Sequence, residues 1–223
     1  MTTQIEYSRP RGTYYTVLAD GKFHTEVEEG SEGAVKREYE TSDGKKGVKH
    51  ERIAQRITGI ISNVAIYDGD YGKSLQLSFG DNDLIVSLAT QSSYGEDMMK
   101  KLPNIDMDKE VELSPYSFVD ENGKTRKGIS IKQGDVKIQS FYTEKKGEKF
   151  ITVNGYPEVP KESKDWDKED WKIYFAQARK FLVGEVEKNK KFNAVAPDAL
   201  KATVGGSVEY PKEEGVSPEE ISF

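Results

Sequence analysis

The feature that most constrains this chain is an alternation. Residues 56–89 read RITGIISNVAIYDGDYGKSLQLSFGDNDLIVSLA. Leu75, Leu77 and Phe79 fall on one side of a strand, with Gln76 and Ser78 on the other, and Leu84, Val86 and Leu88 repeat the pattern. A repeat of two is the period of an extended chain with one face on a core. Three consecutive antiparallel strands are therefore expected. The first, over roughly residues 52–67, is long, and Gly59 inside it suits a bulge that lets a long strand curl.

After residue 90 the period changes. SSYGEDMMKKLP predicts a short helix, with Ser93 and Glu96 as a capping box and Pro103 as its stop. KEVELSPYSFVDENGKTRKGISIKQ then predicts a strand, an Asn122-Gly123 turn and a strand, and GDVKIQSFYTEKKGEKFITVN a further hairpin. Three strands, a helix and two strands is the element order of an OB-fold, a five-stranded Greek-key barrel. An SH3-like barrel or a β-sandwich shares much of the pattern. Upstream, Asp20-Gly21 and Asp43-Gly44 each sit between β-prone runs and predict hairpins. Downstream, Trp171, Tyr174, Phe175, Ala178 and Leu182 form the stripe of an amphipathic helix that docks on the barrel. Asp167 is placed to cap it, with Trp166 and Trp171 stapling its first turn. The expected fold is thus mainly β. Residues 1–46 form an N-terminal β extension packed on the barrel, 47–155 the OB-fold, 156–192 a linker and C-terminal helix, and 193–223 a flexible acidic tail.

Composition narrows the chemistry. There is no cysteine, which excludes disulfides, thiolate metal sites and cysteine nucleophiles. A hydrophobic fraction of 35% against a charged fraction of 32% allows one core of modest size. His24 and His50 lack ligand spacing, and YGKS at residues 71–74 lacks the upstream glycine of a phosphate loop. Asp68 and Asp70 fit a solvated turn. No catalysis, metal or cofactor is expected. No run approaches the length of a membrane span or a secretory leader, so the expectation is a soluble cytoplasmic protein with no membrane partner.

The net charge is −6, but it is polarised. Residues 122–153 hold eight basic side chains and three acids, a net of +5, whereas residues 205–223 hold five glutamates and one lysine, a net of −4. An OB-fold binds ligand over its second and third strands, flanked by the loops after strands one and four. The first of those loops carries Tyr71 and Lys73; the second carries Tyr116, Phe118, Lys124, Arg126 and Lys127. With Val111 and Leu113 inward, strand parity turns Tyr116 and Phe118 outward unless Pro115 inserts a bulge. Lys132, Lys137, Phe141 and Tyr142 continue the mixture, and Arg56 adds a cation on the first strand. Cations neutralise phosphates without reading sequence, and flat rings stack on unpaired bases. Tyr71, Tyr116, Phe118, Phe141 and Tyr142 are the expected stacking residues. Arg56, Lys73, Lys124, Arg126, Lys127, Lys132 and Lys137 are the expected phosphate contacts. The same residue types also serve as strand packing and as guards on strand edges.

The chain ends SPEEISF. That end resembles the acidic tip of bacterial single-stranded DNA-binding proteins, which closes on Ile-Pro-Phe, and the overall order resembles tailed-phage DNA-binding proteins with an OB-fold and an acidic tail. Glu219 and Glu220 match the acids, Ile221 the isoleucine and Phe223 the terminal ring, while Ser222 replaces the proline. The resemblance implies a protein that coats and protects single-stranded DNA in replication and recombination. It also implies that the tip recruits replication and recombination proteins through Glu219, Glu220, Ile221 and Phe223. Self-association stays open. The alternatives are a structural or protein-interaction β-barrel, such as a virion component, and a carbohydrate-binding barrel.

Overall fold

The computed structural model describes residues 12–189 except 42, 43, 81, 82 and 148. The acidic tip, the tail from residue 193 and the turn residue Asp43 lie outside the described residues. In chain order the elements are β1 (Thr13–Val17), β2 (Phe23–Glu26), β3 (Val35–Glu40), β4 (Lys46–Ala54), β5 (Ile57–Gly59), β6 (Ile61–Gly69), β7 (Gly72–Phe79) and β8 (Leu84–Ala89). There follow α1 (Ser93–Lys101), β9 (Val111–Val119), β10 (Thr125–Gln133), β11 (Val136–Lys137), β12 (Thr143–Lys146), β13 (Lys149–Thr152) and α2 (Lys168–Lys188). The fold is mainly β with a C-terminal helix.

The alternating stretch forms the expected meander β6–β7–β8. Its inward side chains, Val64, Leu75, Leu77, Phe79, Val86 and Leu88, are all buried in the core. The long first strand is interrupted. β4 ends at Ala54, β5 and β6 are separated by Ile60, and the pairing of β6 with β7 slips between Ile61 and Asn63. The irregularity sits next to Gly59, where a bulge was expected, and it lets β5 leave for a different sheet.

Two main sheets result. The larger has seven strands in the order β3-β4-β2-β1-β8-β7-β6, and the smaller has four in the order β11-β10-β9-β5. β12 and β13 form a separate ribbon. The N-terminal strands are thus members of the large sheet, joined to it by parallel pairing of β1 with β8. The residue 46/47 boundary falls inside β4, which pairs with both β2 and β3.

The described strands do not close into a barrel, and hydrogen bonding gives the reason. Because β5 and β6 are one run shared by both sheets, closure would require the free edge of β8 to meet that of β10. β1 occupies the first edge. On the second, β11 takes the end at Lys132 and Gln133, and side chains of α1 take the middle at Ile129. The Ile129 N–H donates to Asp97 Oδ2 at 2.7 Å, and the Ile129 carbonyl accepts from Lys101 Nζ at 2.7 Å. Asp97 and Lys101 are themselves paired at 2.6 Å. One turn of helix thus supplies the donor and acceptor that a neighbouring strand would supply.

The helices follow their caps. α1 is capped one residue earlier than the sequence pattern places it: Ser92 Oγ accepts the Gly95 N–H at 3.1 Å. Glu96 instead pairs with Lys100 at 2.7 Å. Pro103 lies in a short 3-10 turn, Leu102–Asn104, that ends the helix. α2 has the expected Asp167 cap, completed as a capping box by Asp170, and the Trp166 and Trp171 rings meet at 5.0 Å. Its stripe buries Tyr174, Ala178 and Leu182 with Val183 and Val186, against α1 and β6. Trp171 and Phe175 stack on each other at 5.6 Å and stay half-exposed.

Candidate nucleic-acid interface

The register of the small sheet decides what its two faces show. β9 and β10 pair without a bulge from Thr125↔Val119 to Lys132↔Glu112. Pro115 fits because it stands opposite Ile129, whose N–H and C=O point away to α1, so the ladder needs no donor there. Val111, Leu113, Ile129 and Ile131 are buried. The opposite parity faces outward, and Tyr116 and Phe118 are 36% and 54% exposed. Across the strands, Phe118 pairs with Arg126, Tyr116 with Gly128, Ser114 with Ser130, and Glu112 with Lys132, which in turn pairs with Lys137. Rings and cations therefore share one face, over about 20 Å from Arg126 to Lys132 at the usual strand rise.

Tyr116 and Phe118 lie with ring centres 5.8 Å apart at 38°. The Tyr116 ring lies over Gly128, where an added Cβ would stand 2.5 Å from the phenol oxygen. Glycine in that cross-strand position leaves the ring room to lie down against the backbone. Burial raises the Tyr116 hydroxyl pKa, and the Asp97 charge adds to the effect while Arg126 opposes it. The β9–β10 hairpin tip is organised by Asp120, whose carboxylate accepts the N–H groups of Asn122 and Lys124 at 2.9 Å each and Arg126 Nε at 2.8 Å. The Lys124 N–H, with Arg126 and Asn122, holds Asp120 below the usual carboxylate range against the opposing effect of burial. Arg126 therefore has a carboxylate on it already, as does Arg56, 2.9 Å from Glu112. A phosphate has to compete with both. Among the described residues no ion pair holds Lys124, Lys132 or Lys137.

The structure places the predicted residues in three groups. Arg56, Tyr116, Phe118, Lys124, Arg126, Lys127, Lys132 and Lys137 lie on the small sheet and its hairpin or beside them. Tyr71, 51% exposed, lies in the β6–β7 turn. That turn and the β1–β2 turn share one rim of the large sheet, on either side of β8. The β1–β2 turn meets the small sheet directly, because a Cβ on Gly21 would stand 2.4 Å from the Ser117 nitrogen. Lys73, Phe141 and Tyr142 belong elsewhere. Lys73 Nζ is 3.2 Å from Glu187 on α2. Phe141 is half-buried with its N–H donated to the Lys100 carbonyl. Tyr142 is only 3% exposed, packed among Phe141, Tyr156 and Phe181. Burial, with the nearby Glu185 charge, pushes the Tyr142 hydroxyl up to about 12. Its ring faces the core and is removed from the stacking set.

The expected ligand face over the second and third strands of the meander also differs. β7 presents Ser74, Gln76 and Ser78 there, all buried, and β8 presents Ile85, Ser87 and Ala89, so these strands offer no ring and no cation. Sequence reasoning missed Gly128, although a glycine inside a strand pattern signals close approach. It also missed the Asp97–Lys101 clamp, which has no strand-like signature. Comparison of the chain with family models, curated proteins and solved structures finds no match, so the chemistry of the faces carries the functional reading.

Proposed function

We propose that this chain is a single-stranded DNA-binding protein that holds the strand on the outward face of the small sheet. The observation that carries the reading is parity: Tyr116, Phe118, Arg126 and Lys132 share one face by strand register, with Lys137 beside them. Duplexes hide the faces of their bases, so a track of exposed rings beside cations favours unpaired strands. The cations neutralise phosphates in any sequence, so binding is sequence-independent and weakens steeply with salt. The fold belongs to the same reading. A meander, a helix and a hairpin, with the first strand shared by both sheets, support an OB-fold that the N-terminal β1 and the α1 clamp have opened. In that setting the protein coats and protects single strands during replication and recombination. The tip residues Glu219, Glu220, Ile221 and Phe223 recruit partners, the terminal ring entering an apolar pocket while its carboxylate and the two glutamates meet basic residues at the rim. No catalysis, metal or cofactor enters this function.

The test is a titration with a labelled oligo-dT at two salt concentrations, beside a duplex control. Tight binding of the single strand that falls with salt is expected. Tyr116→Ala and Phe118→Ala should each weaken it by about 1–3 kcal/mol. Both residues are part-exposed, so these variants should fold. An oligonucleotide that does not bind at low salt overturns the reading in favour of a protein-docking face.

A further inference from the structure

The strands after the track form a ribbon that belongs to neither sheet. β12 and β13 pair only with each other, from Thr143↔Thr152 to Lys146↔Lys149. The base of the ribbon is fixed: the Val153 N–H donates to the Tyr142 carbonyl at 3.0 Å, and Asn154 Nδ2 donates to the Phe141 carbonyl at 2.5 Å. From there the ribbon projects, and Glu144, Lys145, Lys146, Lys149, Phe150 and Ile151 are all exposed. Phe150, 50% exposed, is a large ring that no core claims.

Strand parity sorts these residues by chemistry. Lys145 stands opposite Phe150, and Thr143 opposite Thr152, so among the described residues one face of the ribbon presents a lysine, an aromatic ring and two hydroxyls with no carboxylate. Glu144 faces the other way with Ile151, beside Lys146 and Lys149. A protein partner would be served by apolar area on either face. The separation of the acid from the ring suits a ligand that is flat and anionic at once. The ribbon follows β11 after five residues, so it continues in sequence from Lys137, the last cation of the track.

We infer that the β12–β13 ribbon is a second contact for the same single-stranded DNA, with Phe150 stacking on a base and Lys145, on the same face, meeting a phosphate, while Lys146 and Lys149 at the end of the ribbon add positive charge from its other face. The inference rests on the proposed function and extends it from a track on one sheet to a track with an arm. The ring supplies base stacking and the lysines a salt-dependent attraction, the two components that a non-specific single-strand site requires.

The experiment is fluorescence anisotropy of labelled oligo-dT with the full chain, its Phe150→Ala and Phe150→Tyr variants, and a triple variant Lys145→Gln, Lys146→Gln, Lys149→Gln. Phe150→Ala should weaken binding by about 5- to 150-fold, the range of one lost stacking contact. Phe150→Tyr should restore it. The triple variant should flatten the slope of log affinity against log salt by about 0.7 for each lysine that meets a phosphate. If the unaltered chain binds the oligonucleotide but Phe150→Ala and the triple variant bind like it, the arm is overturned and the track on the small sheet stands. If the unaltered chain does not bind at low salt, the proposed function and the arm fail together.

Discussion

The two sheets meet the same demand in different ways. Each has an edge that a barrel would have joined to the other. The large sheet closes its edge with backbone, laying β1 in parallel against β8 from Thr13↔Leu84 to Thr16↔Ser87. The small sheet has only the two-residue β11 at one end of that edge, and covers the stretch beside it with two side chains from one helical turn, Asp97 and Lys101, both on Ile129. A strand added in this way carries its own side chains and extends a face. A clamp adds no face, so the small sheet stays narrow, and β9 and β10, with Lys137 on β11, carry the rings and cations of its outward side.

The comparison breaks most readily at the clamp. Lys101→Met leaves the Asp97 carboxylate and the Ile129 carbonyl without their cation, and because Lys101 is buried while Asp97 is part-exposed the cost falls at the low end of that for breaking a buried pair, about 3 kcal/mol. A urea titration should register that loss, with the amides of β10 losing hydrogen-exchange protection before those of β7. An unchanged midpoint would mean that the edge of β10 does not depend on α1. A smaller effect is expected where the sheets touch. Gly21 has φ +70°, and its Cβ would run into the Ser117 backbone, so Gly21→Ala should cost about 1–3 kcal/mol. It should also displace the strand that carries Tyr116 and weaken oligonucleotide binding. Full stability and full affinity in Gly21→Ala would separate the two sheets functionally.

The smallest effect is confined to acid and belongs to the large sheet. Glu51 is buried between Arg37, whose two nitrogens donate to it at 2.7 and 2.8 Å, and His24 at 3.0 Å. Burial pushes its carboxyl up, but the hydrogen bonds from Arg37 and His24 outweigh it and hold the pKa below the usual carboxylate range. The unfolded chain therefore takes up a proton at about pH 4.3, before the folded one does. This contribution to stability is complete above that pH and is lost as the pH falls through the lower, folded value. Thermal melts between about pH 6 and pH 3 should show the decline, and Glu51→Gln should flatten it. An equally steep decline in Glu51→Gln would assign the acid limb to other carboxylates.

What was legible in the sequence follows the same division. The meander, the turns at Asp20-Gly21 and Asn122-Gly123, the short helix and the capped, stapled α2 were all written in local patterns of two, of 3.6 and of turn chemistry. The outward placement of Tyr116 and Phe118 was legible for the same reason, since parity needs only the neighbours. The division of the strands into two sheets that do not close was not. It depends on β1 meeting a strand far along the chain and on side chains of α1 reaching Ile129, and neither leaves a periodic trace. Tyr142 shows the limit for single residues. Its place in the KIQSFYTEKK run looked like that of a surface ring, but α2, arriving later in the chain, brings Phe181 to cover it.

The parallel pair at the centre of the large sheet also sets a schedule. Thr13 has to wait for Leu84, 71 residues later, before it has a partner. Long-range parallel pairing of this kind forms slowly. On a growing chain the earliest described strand can pair with β2 at once, but its other edge stays bare until the whole meander has been synthesised. A shortened chain that begins after Val17 would leave β8 with a bare, self-complementary border, on which a second molecule can lay its own strand.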